Sequence, residues 1–134
     1  MSGSGTPDDP WNLTTPAGGG AFQMHIDEEK GVLHCQVGST WLHYRRESLK
    51  DLYAMLLAHG DWMELGNKDE KQDVKPGTVE AWARSEDNPV GGWYGLRKGY
   101  RGRFANYVSA VLKEQGKVEF EKRGRGYWVK AIPQ

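Results

Sequence analysis

The dipeptide Gly38-Ser39 lies between two runs of alternating apolar residues, VLHCQV and TWLHYRR, and it leaves this stretch few ways to fold. Alternating runs joined by a two-residue, glycine-containing turn form a β-hairpin. A tight turn also fixes the register, because a slip of one residue would exchange the two faces of a strand. Val37 then opposes Thr40, Cys35 opposes Leu42, Leu33 opposes Tyr44 and His34 opposes His43. Upstream, Phe22, Met24 and Ile26 alternate with Gln23 and His25, so a third strand joins through the DEEKG turn. Paired so that His25 opposes His34, the three strands make an antiparallel meander with its imidazoles on one face.

Helical spacing begins after the meander. Leu49, Leu52, Tyr53, Leu56 and Leu57 form one stripe, with Ser48 as expected N-cap and His59-Gly60 as the close. Trp62–Leu65 suits a short strand, and the polar run 66–77 a long surface loop. TVEAWAR (78–84) suits either a short helix after Gly77 or a strand, and its β-formers favour the strand. Asn88-Pro89 is a helix opening, so a short helix is expected over PVGGWYGLRK despite its three glycines. A longer helix is expected from about Arg101 to Gln115, burying Phe104, Tyr107, Val108, Val111 and Leu112. The segments KVEFEK and YWVKAI flank Arg123-Gly124-Arg125-Gly126 and predict a hairpin with a basic tip.

The expected architecture is α+β: an N-terminal three-stranded antiparallel meander (11–46) packed on a winged-helix-like C-terminal half (47–134). A chain of 134 residues suits one such domain. Six Trp, six Tyr and three Phe supply large buried areas, so much of the core must be aromatic. Residues 1–10 are small and polar, and are expected to stay disordered. The single Cys35 excludes an internal disulfide framework and a cysteine-cluster metal site. No apolar run approaches the roughly 20 residues of a membrane span. With no secretory-type apolar segment at the N-terminus, a cytoplasmic protein is expected.

Charge carries the functional argument. Residues 1–96 hold 8 Lys and Arg against 15 Asp and Glu, a formal −7, whereas residues 97–134 hold 10 against 3, a formal +7. The net zero of the chain therefore hides a basic, aromatic-rich last third. The order helix, strand, short helix, turn, longer helix, hairpin over 48–132 resembles a winged helix-turn-helix domain, which implies that the longer helix enters the major groove. On that helix Arg103, Asn106, Ala110 and Lys113 share the face opposite the apolar stripe, and Arg and Asn pair in two-point fashion with guanine and adenine edges. Arg97, Lys98 and Arg101 near its start, with Lys122, Arg123 and Arg125 at the hairpin, are the expected phosphate contacts. Six such contacts would give a log–log salt slope of roughly −5. Trp93, Tyr94 and Tyr100, among glycines, are candidates for stacking on bases. For Trp93 and Tyr94 the alternative is a place in the core.

Nucleic-acid binding without catalysis is thus the leading expectation, and no cofactor or small-molecule substrate is implied. The alternative is a protein-interaction module whose basic face docks an acidic partner. A third reading takes His25, His34 and His43 as zinc ligands. No Asp or Glu is placed by the pattern to orient them, so a half-exposed polar face competes with that reading. Cys35 points to the apolar side with Leu33 and Val37, as a small core residue would. The stretch EDNPVGGWYGLRKGYRGRF, preceded by AHGDWMELG, resembles a family of small actinobacterial proteins of no known activity. That resemblance covers most of the chain from Trp11 onward and implies no functional residues.

Overall fold

The computed structural model describes residues 3–16, 18, 20–66, 74–96, 103–124 and 126–134. The protein is α+β. Strands β1 (Trp11–Thr14), β2 (Ala21–Asp27), β3 (Val32–Val37) and β4 (Thr40–Arg45) form an antiparallel sheet in the order β1-β2-β3-β4. Helix α1 (Glu47–His59), strand β5 (Met63–Glu64), helix α2 (Val79–Arg84) and helix α3 (Phe104–Glu114) follow. Strands β6 (Val118–Arg123) and β7 (Gly126–Ala131) complete a second sheet, ordered β5-β7-β6.

The first sheet has the register that the Gly38-Ser39 turn dictates, with Cys35 opposite Leu42, Leu33 opposite Tyr44 and His34 opposite both His25 and His43. It gains a fourth strand that the sequence did not suggest. The TTPAGGG stretch reads as a loose connection, yet Thr15 N–H donates to Gly20 carbonyl and closes a hairpin that pairs Trp11 with Met24 and Leu13 with Phe22. Residues 3–10 also depart from the expected disordered tail. Ser4, Gly5 and Thr6 donate to the Asp9 carbonyl, and Gly5 carbonyl accepts from Ile26 N–H at 2.8 Å. Gly5, at φ 80°, lies so close to the Trp11 ring that a Cβ would stand 2.4 Å from it, and burial of that indole anchors an otherwise polar segment.

Helix α1 buries Leu49, Leu52 and Leu56 and ends at a left-handed Gly60, while Leu57 is exposed. Ser48 is not its cap. Arg46 occupies that position, and Ser48 is wholly buried with no hydrogen-bond partner for its hydroxyl among the described residues.

Two expectations in the middle of the chain are corrected. Residues 78–84 form helix α2 rather than a strand, because Thr78 Oγ1 accepts from Ala81 N–H at 3.2 Å while donating to Lys75 carbonyl. A side-chain cap of this kind satisfies a first-turn amide and outweighs weak β-propensity. Residues 88–96 form a loop rather than a helix. Asn88 Nδ2 donates to the carbonyls of Trp82, Ala83 and Gly92, and Oδ1 accepts from the amides of Val90 and Gly92. Asn88 thus organises the loop instead of opening a helix. The chain then runs along β4, with Tyr94 carbonyl accepting from Arg45 N–H and Leu96 N–H donating to His43 carbonyl at 2.7 Å.

Helix α3 packs against α1, α2, β1 and β6. Besides the expected stripe it buries Ala105, Ser109 and Ala110, so protein covers it on more than one side. Replacing Asn88 by Ala should lower unfolding free energy by roughly 2–4 kcal/mol, the scale for several buried hydrogen bonds removed together. Urea denaturation checks this, and a change below about 1 kcal/mol would mean that the loop is held by other interactions.

Candidate functional site

The sequence-predicted DNA face divides on the structure. Arg103 is exposed at the N-cap of α3 in the left-handed region (φ 57°), Asn106 is half-buried, and Lys113 is exposed beside the Phe120 ring. Ala110, between them on the expected face, is only 5% exposed. A concavity lined by Asn12, Leu13, Thr14, Ala110, Lys113 and Glu114 marks where β1 lies alongside this side of the helix. A helix inserting into a groove needs its contact face open. On the face of α3 between Asn106 and Lys113, Ala110 is buried and β1 runs alongside.

At the second hairpin, Lys122 is exposed and Arg123 is engaged within the protein. Its Nε donates to Glu121 at 2.7 Å, and its guanidinium lies over the rings of Trp62 at 5.4 Å and Trp128 at 5.0 Å. Around it, Glu119 faces Lys130 and Lys75 pairs with Glu64, so charge here alternates in sign. Of the stacking candidates, Tyr94 is fully buried, stacked on Trp82, and donates its hydroxyl proton to Asp51 at 2.8 Å. Trp93 packs edgewise on Tyr44 and Phe104 with Arg84 over its ring. Both are core or core-margin residues, because an aromatic with several ring neighbours gains more from burial than from solvent. Arg97, Lys98, Tyr100, Arg101 and Arg125 lie outside the described residues.

The three histidines do come together. On the outer face of the first sheet, His25, His34 and His43 form a transverse row with ring centroids 4.9 Å apart, and His34 Nδ1 meets His43 Nδ1 at 2.7 Å. One of those nitrogens donates and the other accepts, so the two rings are not both protonated at Nδ1. Burial, followed by the neighbouring His25 and His43, holds the His34 pKa below its ordinary value. Among the described residues, no group of three or more His, Cys, Asp and Glu has the geometry of a metal site. Cys35 is buried, which pushes its thiol pKa up and away from nucleophilic behaviour.

One buried charge escaped the sequence reading. Glu80 is completely buried, and its Oε1 accepts from Ala105 N–H at 3.0 Å, in the first turn of α3. Arg103 provides no side-chain cap, so a carboxylate from α2 terminates α3 in its place. Arg84 Nε stands 3.6 Å from the other oxygen. Burial outweighs these favourable interactions and raises the Glu80 pKa from 4.5 to about 7.

The fold defines an α+β protein of two antiparallel sheets packed against a buried helix. The chain belongs to the Family of unknown function (DUF6855), whose model matches residues 3–132. No curated protein and no solved structure matches it. No helix among the described residues is long and apolar enough to cross a membrane.

Because folding raises the Glu80 pKa, its contribution favours the folded state below pH 4.5 and is lost as pH climbs through about 7. The interval from 4.5 to about 7 corresponds to a loss of about 3 kcal/mol. Glu80→Gln keeps an acceptor for Ala105 and removes this titration. Its stability relative to the wild type should therefore improve from pH 5 to about pH 7 and then level off in chemical denaturation. Parallel curves for the two proteins would contradict the assignment.

Proposed function

We propose that the protein is a nucleic-acid-binding module with no catalytic step. One observation carries this reading: the fold holds both ends of the most cationic stretch of the chain. Residues 97–103 read RKGYRGR, with Arg97, Lys98, Arg101 and Arg103 and no acid. Leu96, just before them, is hydrogen-bonded to the β4 edge, and Arg103 is fixed and exposed at the start of α3. Anchored cations lose less conformational freedom on meeting phosphates than cations on a free tail. The succession of α1, β5, α2, α3 and a two-stranded hairpin, with β5 joining that hairpin's sheet, supports the winged-helix likeness. With α3 covered at Ala110, the likeness extends to architecture more readily than to groove insertion. In this reading Arg103, Lys113 and Lys122 bind phosphate, joined by Arg97, Lys98, Arg101 and Arg125. Arg123, already paired with Glu121, adds less.

A protein-interaction role is the second reading, favoured by the alternating charge of Glu64, Glu119, Glu121, Lys75, Lys130 and Arg123 on the second sheet and its surroundings. Mixed charge suits a protein surface better than a uniform polyanion.

Affinity for oligonucleotides should fall steeply with salt. Combining Arg97→Ala, Lys98→Ala and Arg101→Ala should reduce the log–log slope by about 3, since each phosphate left unneutralised lowers it by about 0.9. Fluorescence anisotropy across a salt series measures this. An unchanged slope would remove this segment from the interface. Competition by polyglutamate as strong as that by oligonucleotide at matched charge would favour the protein partner.

A further inference from the structure

We infer that the outer face of the first sheet is a stacking platform for unpaired bases, so that the ligand is single-stranded nucleic acid. The inference rests on the binding reading above and assigns it a surface and a substrate class. Register alone puts two chemically distinct rows on this face. Asn12, Gln23, Gln36 and Trp41 are successive partners across the four strands, and His25, His34 and His43 are successive partners across three.

Each row matches one feature that an unpaired nucleotide exposes and a duplex hides. The flat faces of bases stack on aromatic side chains, and their free edges hydrogen-bond to amides. Trp41 is 39% exposed, one of three large apolar side chains left open to solvent among the described residues. It stands edgewise to His25 and His34, with ring centroids 6.0 and 6.3 Å away, so the two rows meet in one aromatic cluster. Beside it the amides are already oriented, since Gln23 Nε2 donates to Asn12 Oδ1 at 2.7 Å. A shallow concavity lined by Asn12, Leu13, Ala21, Phe22, Gln23, Gln36 and Gly38 lies at this row.

Charge on the face suits an anion. The third row pairs Val32 with Asp27 and Arg45, whose charges offset each other, and the imidazoles can only add positive charge. Leu96 joins the β4 edge at His43 immediately before the cationic stretch. A duplex keeps its base faces and Watson–Crick edges from the platform, which is why the single strand is the ligand assigned.

The test uses the full chain with short single-stranded RNA, single-stranded DNA and duplex DNA under low salt. Single strands should bind more tightly than duplex. Trp41→Ala should weaken single-strand binding roughly tenfold or more, the scale of removing one base–aromatic stack, without altering the salt slope. Trp41→Phe keeps a ring and should restore most of the affinity, which separates stacking from damage to the strand. Gln36→Ala should change the preference among homopolymers. Single-strand binding that is indifferent to Trp41→Ala, or a preference for duplex, would overturn this inference and leave the binding reading standing. Absence of binding to all three nucleic acids would overturn both.

Discussion

The burial of helix α3 is the constraint on which the remainder of the structure depends. Its apolar stripe, Phe104 through Leu112, faces α1, α2 and the second sheet, while Ala105, Ser109 and Ala110 extend the buried surface toward β1. Covering a helix on several sides demands small residues where backbones approach, and Ala105, Ser109 and Ala110 supply them. It also demands that the helix terminus be satisfied without water. Glu80 does this from a neighbouring helix and accepts a raised pKa as the consequence. The N-terminal sheet is therefore a wall of the core. Phe22 meets Tyr107 edgewise at 4.8 Å, and Trp11, Leu13 and Met24 close the same side.

That wall redirects the functional argument. A charged helix near the C-terminus invites a reading in which it meets DNA, and its periodicity does place Arg103, Asn106 and Lys113 together. Charge along a helix does not reveal what another part of the chain lays over it. With Ala110 buried on the side where β1 runs, the proposed binding chemistry rests on the outer face of the sheet and on Arg103 at the start of α3. The outer face of the sheet carries one exposed indole, three imidazoles and a row of amides, and these are the groups on which the proposed recognition rests.

How much of this was legible in the sequence follows from the range of the interactions involved. The β2–β4 register was legible because a two-residue turn and period-two alternation are local and mutually consistent. The close of α1 at Gly60 and the apolar stripe of α3 were legible for the same reason. Strand β1 was not, because its pairing depends on Gly5 nesting against Trp11 and on a glycine-rich closure that by itself looks like slack chain. Helix α2 and the Asn88 loop turned on which backbone groups a single Thr or Asn side chain would reach, and the sequence offers both options. Glu80 gave no signal at all, since its partner amide lies 25 residues away. Tyr94 could be read either as a stacking residue or as core, because Asp51, its hydroxyl's acceptor, lies 43 residues away.

The central claim is that nucleic acid meets the sheet face and the cations before α3, while α3 itself remains core. Chemical-shift mapping on the isotopically labelled chain, titrated with a single-stranded oligonucleotide, tests it most directly. The account predicts the largest shifts at the Trp41 indole, the Gln36 side-chain amide, the three imidazoles and Arg103, with Ser109–Leu112 amides unmoved. Shifts concentrated on Asn106 and Ala110, with Trp41 silent, would contradict it.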